Sequence, residues 1–304
     1  MSSSPIVSVV IPAYNAAAFI EKTLDSVRAQ TYQSYEVIVV DDGSADQTKD
    51  VVEAYFERSG MTGRCIRQPN KKIAAARNTG MRAAHGQYIA LLDHDDLWRP
   101  QKLAVVMSAF EAHPEADLVC HAEDITKDGR KLRTQQYGPA VPQMYKRLLF
   151  LGNALSPSAV VFKTGKALAL GGFDENPNFD TVEDYEFWMR FSRTGRFHFI
   201  NDVLGECVLV DRAASRQIVY HHTGFENVLR HHLSSYASGW PSVIDRLRMR
   251  QRISMVYRSA LRSLMQRDES PEKQREYLAR MLREFPFAPK NIAVALIWAF
   301  RARK

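Results

Sequence analysis

The chain has 304 residues, enough to bury a full-sized core in one large or two small domains. Its composition is 45% hydrophobic and 25% charged, with no low-complexity tract and no fixed-period repeat, which excludes global disorder and solenoid arrays. The net charge of +7 is uneven: from residue 241 onward 15 lysines and arginines stand against 6 acids, which implies either an anionic contact or a solvated helical face.

Residues 7–11 are a short β-branched run ended by Pro12 and read as a buried strand. Helical spacing follows over 16–30, with Phe19, Ile20, Leu24 and Val27 on one side. Residues 35–40 form a second strand that runs into Asp41-Asp42-Gly43-Ser44. A helix over 46–58, a third strand over 64–67 and a helix over 73–84 come next. Residues 88–92 are a fourth strand, running into Asp93-His94-Asp95-Asp96. This alternation predicts a mostly parallel sheet flanked by helices, with its ligand beyond the carboxyl ends of the strands. Pro12-Ala13-Tyr14-Asn15 and the two acidic clusters all stand at that edge.

The second half is less regular. Strands are expected over 118–122 and 159–162, with a turn at Asp128-Gly129 and a helix over 143–151. A turn at Gly171-Gly172-Phe173-Asp174 precedes a helix over 183–193. Past residue 224 the chain reads as helical, with breaks near 238–241, 270–271 and 285–286, and a soft boundary falls near 222. Cys65, Cys120 and Cys207 lie far apart without a CxxC pair, against a disulfide framework or a zinc site. No signal peptide is expected, and the longest apolar stretch, 291–300, is half of the roughly 20 residues a spanning helix needs. The expected compartment is the cytoplasm.

Three carboxylates in Asp93-His94-Asp95-Asp96 repel one another unless a cation holds them, and such hard ligands suit Mg2+ or Mn2+. An acidic turn capping the next helix is the plainer reading. At Asp41-Asp42-Gly43-Ser44, a carboxylate can accept hydrogen bonds from a base or ribose, or Ser44 or Asp46 can simply cap the next helix. Glu183-Asp184 at a helix start complements the helix dipole or supplies a general base.

In order and spacing, the stretch over about 5–215 resembles glycosyltransferase family 2, the inverting enzymes with the GT-A fold. The resemblance rests on Val7-Ser8-Val9-Val10-Ile11-Pro12-Ala13-Tyr14-Asn15, Val39-Val40-Asp41-Asp42-Gly43-Ser44 and Ala76-Arg77-Asn78. It rests also on Tyr88-Ile89-Ala90-Leu91-Leu92-Asp93-His94-Asp95-Asp96, Gly171-Gly172-Phe173-Asp174 and Glu183-Asp184-Tyr185. It implies an α/β, Rossmann-like GT-A catalytic domain over 1–222, with a nucleotide-sugar half to about 115 and an acceptor half over 116–222. Residues 223–304 then form a helical extension.

What the resemblance implies of the site is specific. Pro12, Ala13, Tyr14 and Asn15 would hold the nucleobase, with Asp42 and Asp41 bonding to base or ribose. Arg77 and Asn78 would line the donor diphosphate, Asp93 and Asp95 would form the DxD pair with Asp95 as the direct metal ligand, and Asp184 would be the base with Glu183 beside the acceptor. The implied cofactor is Mn2+ or Mg2+. The implied donor is a nucleotide sugar, UDP-linked by default, and the acceptor a saccharide or polyprenyl-linked saccharide of an envelope polysaccharide or glycan.

The chain departs from the family at Lys71-Lys72, where many relatives have glycines and where the lysines, Lys72 above all, either clamp the donor diphosphate or simply stand exposed, and it lacks the histidine they often carry in the stretch equivalent to 208–212. Arg212 and Arg216 are candidates to assist with phosphate charge. Neither a QxxRW motif nor a membrane span is seen, so transfer of one or few sugars is expected. Two other readings stay open, a nucleotidyltransferase and a sugar-nucleotide-binding protein without turnover, and the basic tail shows no nucleic-acid-binding pattern. Residues 291–300, bracketed by Lys290, Arg301, Arg303 and Lys304, suit a helix lying on a membrane surface, a helix packed on the body or an oligomer contact. A peripheral place on the inner membrane face goes with the first of these.

Overall fold

The computed structural model describes residues 6–209, 218–237, 242–267 and 270–301. Arg212, Arg216 and the expected break at 238–241 lie outside the described residues. The chain divides into two compact units, the first made of Met1–Tyr145, Asn153–Glu175 and Glu183–Ala213, the second of Lys146–Gly152, Asn176–Val182 and Ala214–Lys304.

In the first unit, β1 (Val7–Ala13), β2 (Tyr35–Asp41), β3 (Gly63–Arg67) and β4 (Tyr88–Leu91) lie parallel in the order β3-β2-β1-β4. Both faces of β1 are buried, which is why its sequence is a continuous apolar run rather than an alternation. Val7, Val9 and Ile11 face a layer built from α1 (Ile20–Arg28), α2 (Thr48–Ser59) and α4 (Lys102–Ala112), through Leu24, Val52, Tyr55, Leu103 and Phe110. On the other face α3 (Lys72–Ala83) packs closely enough that a Cβ on Gly80 would lie 2.3 Å from Cγ1 of Val10. An alanine at that position forces the Val10 side chain, the strand or the helix to shift.

Beyond β4 the sheet is mixed rather than mostly parallel. β8 (Val160–Lys163) is antiparallel to both β4 and β6 (Leu118–Lys127), and β9 (Phe197–Val208) runs parallel to β6. β5 (Leu97–Trp98) is antiparallel to β9, and β7 (Arg130–Gln135) forms a hairpin with β6 across Asp128-Gly129. β5 and β9 have no counterpart among the sequence expectations. Most of β9 is half-buried, so it has neither an apolar run nor clean alternation, and β5 is two residues long.

α1 starts at Ile20, later than its apolar spacing suggests. The Thr48 hydroxyl and the Asp46 carboxylate accept the amides of Ala16 and Ala17, holding that turn out of the helix.

The second unit is helical where described. Its long elements are α8 (Ile218–Ala237), α9 (Val243–Gln266), α10 (Pro271–Glu284) and α11 (Pro289–Arg301). Leu229, Leu233, Val256, Leu261, Leu264 and Met281 are among its buried residues. α11 is tied to α9 by a buried asparagine: Asn291 donates to Ser254 Oγ at 2.6 Å and accepts from Arg258 Nη1 at 2.9 Å. Half-buried His221 and His222 belong to α8, and burial pushes His221 down to about 4.

Candidate active site

The loops after β2, β1 and β4 meet at the carboxyl edge of the parallel strands, and hydrogen bonds stitch them into one surface. Asn15, at φ +49°, donates its amide to Ser44 Oγ at 3.0 Å, and its side-chain oxygen accepts the Ala45 amide at 2.9 Å. The Asp42 amide donates to Ala13 O, and the His94 ring lies 3.2 Å from Pro12 O. Tyr14 stands outward at the rim, about half exposed.

The two acids after β2 differ in what holds them. Asp42 is buried and accepts from Gln68 Nε2 at 2.7 Å and from the amides of Lys71 and Lys72 at 2.9 and 2.8 Å. Its carboxylate thus takes up free amides at the start of α3, as a capping residue does, but from another segment. Lys72 sits at φ +74°, in the left-handed region that favours glycine, and its side chain and that of Lys71 are exposed beside Asp42. Asp41 is fully buried: Oδ1 accepts the Ser44 amide, while Oδ2 lies 3.5 Å from Arg67 Nε without a hydrogen bond among the described residues.

Arg77 and Asn78, on the buried side of α3, are engaged with protein groups. Arg77 Nη2 donates to Asp93 at 2.8 Å and Nη1 to Glu183 at 2.6 Å, across 106 residues of sequence. Burial alone would depress the guanidinium, but the two carboxylates overcome it and keep it charged. Asn78 donates to Phe173 O and Glu175 and accepts the Phe173 amide, which fixes the Gly171-Gly172 turn. Gly172 is required there, since it sits at φ +76° and a Cβ would lie 2.4 Å from Asn78 Oδ1.

The acidic turn after β4 is held by Ser158. Its hydroxyl accepts the Asp93 amide at 3.1 Å and donates to Asp96 at 2.6 Å, while its carbonyl accepts from Lys102 Nζ at 3.0 Å and Trp98 Nε1 at 2.9 Å. Asp96 also accepts the Val208 amide, so it anchors the turn to β9. Burial pushes Asp96 well up and Lys102 well down, and the Lys102 ammonium lies 3.2 Å over the Trp98 ring. Lys102 and Gln68 play no part in the sequence reading of the site. Lys102 falls on the apolar stripe of α4 with Leu103, Val106 and Phe110, the one signal that marks it.

Asp93 and Asp95 fit a small divalent cation. Arg77 takes Oδ1 of Asp93, and no described residue bonds Oδ2. Burial and the Asp93 charge raise Asp95, a strain that a cation relieves. Among the described residues no group of three or more candidate metal ligands gathers.

At the start of α7 (Glu183–Phe191) the acid pair is brought to the same cluster by Arg77. Burial outweighs Arg77 and, helped by Asp184, pushes Glu183 up to about 7, and its Oε2 has no partner among the described residues. Asp184 is half-buried and raised chiefly by burial, against Arg77 and the Tyr185 amide. Asn153 Nδ2 donates to its Oδ2 at 3.2 Å, so the carboxylate is oriented while still reachable. Asp184 is thus a carboxylate able to accept a proton from a group that reaches it.

A family model described as "Glycosyl transferase family 2" matches residues 8–169. An uncharacterized glycosyltransferase of Rickettsia typhi is 28% identical over 212 residues, covering 66% of this chain and 63% of that one. The chain spans from a fifth to under two thirds of the length of the first curated relatives it matches. Among solved structures, S. aureus TarS 1-349 in complex with UDP superposes with a TM-score of 0.58 at 17% identity, covering 92% of this chain and 88% of that one. The Pyrobaculum calidifontis mannosyltransferase PcManGT, in complex with GDP-Man and Mn2+, reaches 0.61 at 19% identity, over 98% and 81%. These likenesses establish a shared fold.

Proposed function

Because the chain belongs to glycosyl transferase family 2 and has the GT-A fold, we propose that it moves a sugar from a nucleotide-sugar donor to a hydroxyl of a saccharide or lipid-linked saccharide, with inversion. The observation that carries this reading is the Arg77 bridge, which holds Asp93 and the Glu183-Asp184 pair in one cluster at the carboxyl edge of the sheet.

The loop from Pro12 to Asn15 receives the base, with Asp41 as the acid that still has an unbonded buried oxygen to offer a base or ribose. Asp42 acts by shaping the loop that carries Lys71 and Lys72, whose exposed ammonium groups reach toward phosphate. Arg77 and Asn78 line the diphosphate region as positioning residues, since both Nη atoms of Arg77 and the Asn78 amide are already bonded to protein. Asp93 and Asp95 would hold Mn2+ or Mg2+, which would supply positive charge against the negative charge of the leaving nucleoside diphosphate. Asp184 takes the proton of the acceptor hydroxyl, whose oxygen attacks the anomeric carbon on the face opposite the diphosphate. The new C–O bond forms as the bond to the diphosphate breaks, and no covalent enzyme intermediate arises. Glu183 stands beside the acceptor as the partner of that base. UDP is the default nucleotide, and residues 1–222 are the catalytic region with 223–304 as its helical extension.

The test is a thermal-shift screen of UDP-, GDP- and dTDP-sugars with and without Mn2+, on the wild type and on Asp95→Ala, because a ligand of the native state raises the melting temperature. A metal-dependent shift with one nucleotide class, lost in Asp95→Ala, supports the donor site. No shift with any donor on folded protein would favour the reading without turnover.

A further inference from the structure

α11 turns an apolar stripe to solvent. Ile292 and Leu296 lie one turn apart and are 46 and 67% exposed, with Ile297 beside them at 50% and Phe287 just before the helix at 82%. The opposite side of α11 is satisfied within the helical unit, through buried Asn291 and Val294. The stripe is therefore surplus to packing.

Its border is cationic. Arg258 and Arg262 lie one turn apart on α9, and Arg262 and Arg301 line, with Met265, Gln266, Val294 and Ile297, a hollow of about 130 Å³ between α9 and α11. Lys290 and Arg301 stand at the two ends of α11. Among the described residues none of these four cations has a carboxylate at ion-pair distance, whereas Arg230, Arg250 and Arg280 of the same unit do. Burial and the like charge of Arg262 both disfavour the charged state of Arg258. A surface supplying anions along its edge and hydrocarbon at its centre would satisfy every one of these groups at once.

We propose that this face of α11, with its arginine border on α9, docks the protein on an anionic phospholipid surface. No described helix is long and apolar enough to cross a membrane, so α11 lies along the interface with Leu296 and its neighbours among the acyl chains and the cations at headgroup phosphates. A second copy of the chain would cover the apolar stripe but would bring the same unpaired cations to the contact, which favours the lipid. The proposal stands independently of the transferase reading.

The experiment is vesicle pelleting of the full chain without donor, comparing phosphatidylglycerol–phosphatidylcholine vesicles with phosphatidylcholine alone, at low and raised salt. Wild type should pellet with the anionic vesicles, about tenfold or more better than with neutral ones, and raised salt should weaken it. Ile292→Asp/Leu296→Asp should abolish pelleting, and Arg262→Glu/Lys290→Glu should reduce it about tenfold or more on anionic vesicles. All four positions are exposed, and circular dichroism with an unchanged cooperative melting transition verifies that the variants remain folded. Wild-type protein that stays in the supernatant, or variants that pellet like wild type, overturn the proposal. So does a wild-type dimer in sedimentation velocity that Leu296→Asp dissociates while vesicles bind neither protein.

Discussion

At the scale of single residues, the candidate site is governed by three buried or half-buried acids around one arginine. Replacing Arg77 by methionine leaves Asp93 and Glu183 without their shared cation in a buried setting. The expected cost is about 3–5 kcal/mol, read from urea denaturation, because a stranded buried charge loses more than the pair gained. Asp184→Asn should lower kcat by roughly 10²–10⁴ while leaving the donor-dependent thermal shift in place, since it removes a proton acceptor and not a donor contact. The pH profile has a definite sign. Burial raises the Asp184 carboxyl, and a base works only when deprotonated, so activity must fall on acidification at a pH above that of an ordinary aspartate. An acid limb centred at or below the ordinary value would remove Asp184 from that role.

At the scale of elements, the parallel strands are locked by a few polar and steric contacts that can be broken one at a time. Glu36 on β2 accepts from Ser8 on β1, from Arg64 on β3 and from the His85 amide. Burial alone would raise Glu36, but those hydrogen bonds and the Arg64 charge outweigh it and hold the carboxyl below its usual value. Its contribution is therefore present above the unfolded-state pKa of about 4.3 and is lost as pH falls through the lower folded value. Glu36→Gln should cost about 1–3 kcal/mol at neutral pH, and the deficit should shrink in acid, measured by denaturation across pH. The contact between α3 and β1 gives a steric counterpart. Gly80→Ala should cost about 1–3 kcal/mol by overpacking against Val10, and Val10→Ala in the same chain should recover part of it, a double-mutant coupling read from the same curves.

At the scale of the whole molecule, the candidate site residues that the structure describes fall in the first unit and the exposed apolar stripe in the second. That separation predicts separable functions. Saturating donor with Mn2+ should raise the unfolding transition of the first unit by the binding free energy, about 2.7 kcal/mol at a hundredfold excess over Kd. Leu296→Asp should leave that shift unchanged. A donor response that disappears in Leu296→Asp would mean that the two units are coupled through binding.

Much of this was legible in the chain itself. Three of the four parallel strands follow from apolar runs that end in Pro12, Asp41 and Asp93, because strand burial on both faces and turn chemistry at strand ends are local properties. The acids of the site were legible for the same reason, as clusters too dense for capping alone, and their match to the family places them in order. What each polar atom does was settled only by tertiary structure. Asp42 spends its carboxylate on the amides of Lys71 and Lys72, and Arg77 spans from Asp93 to Glu183. Ser158 holds an acidic turn more than sixty residues before it. β5 and β9, which carry no periodic signal, find their places only by pairing with what the sheet leaves open. Hydrogen bonds are claimed by whichever donors the fold brings near, and that assignment depends on contacts between segments that no local pattern encodes.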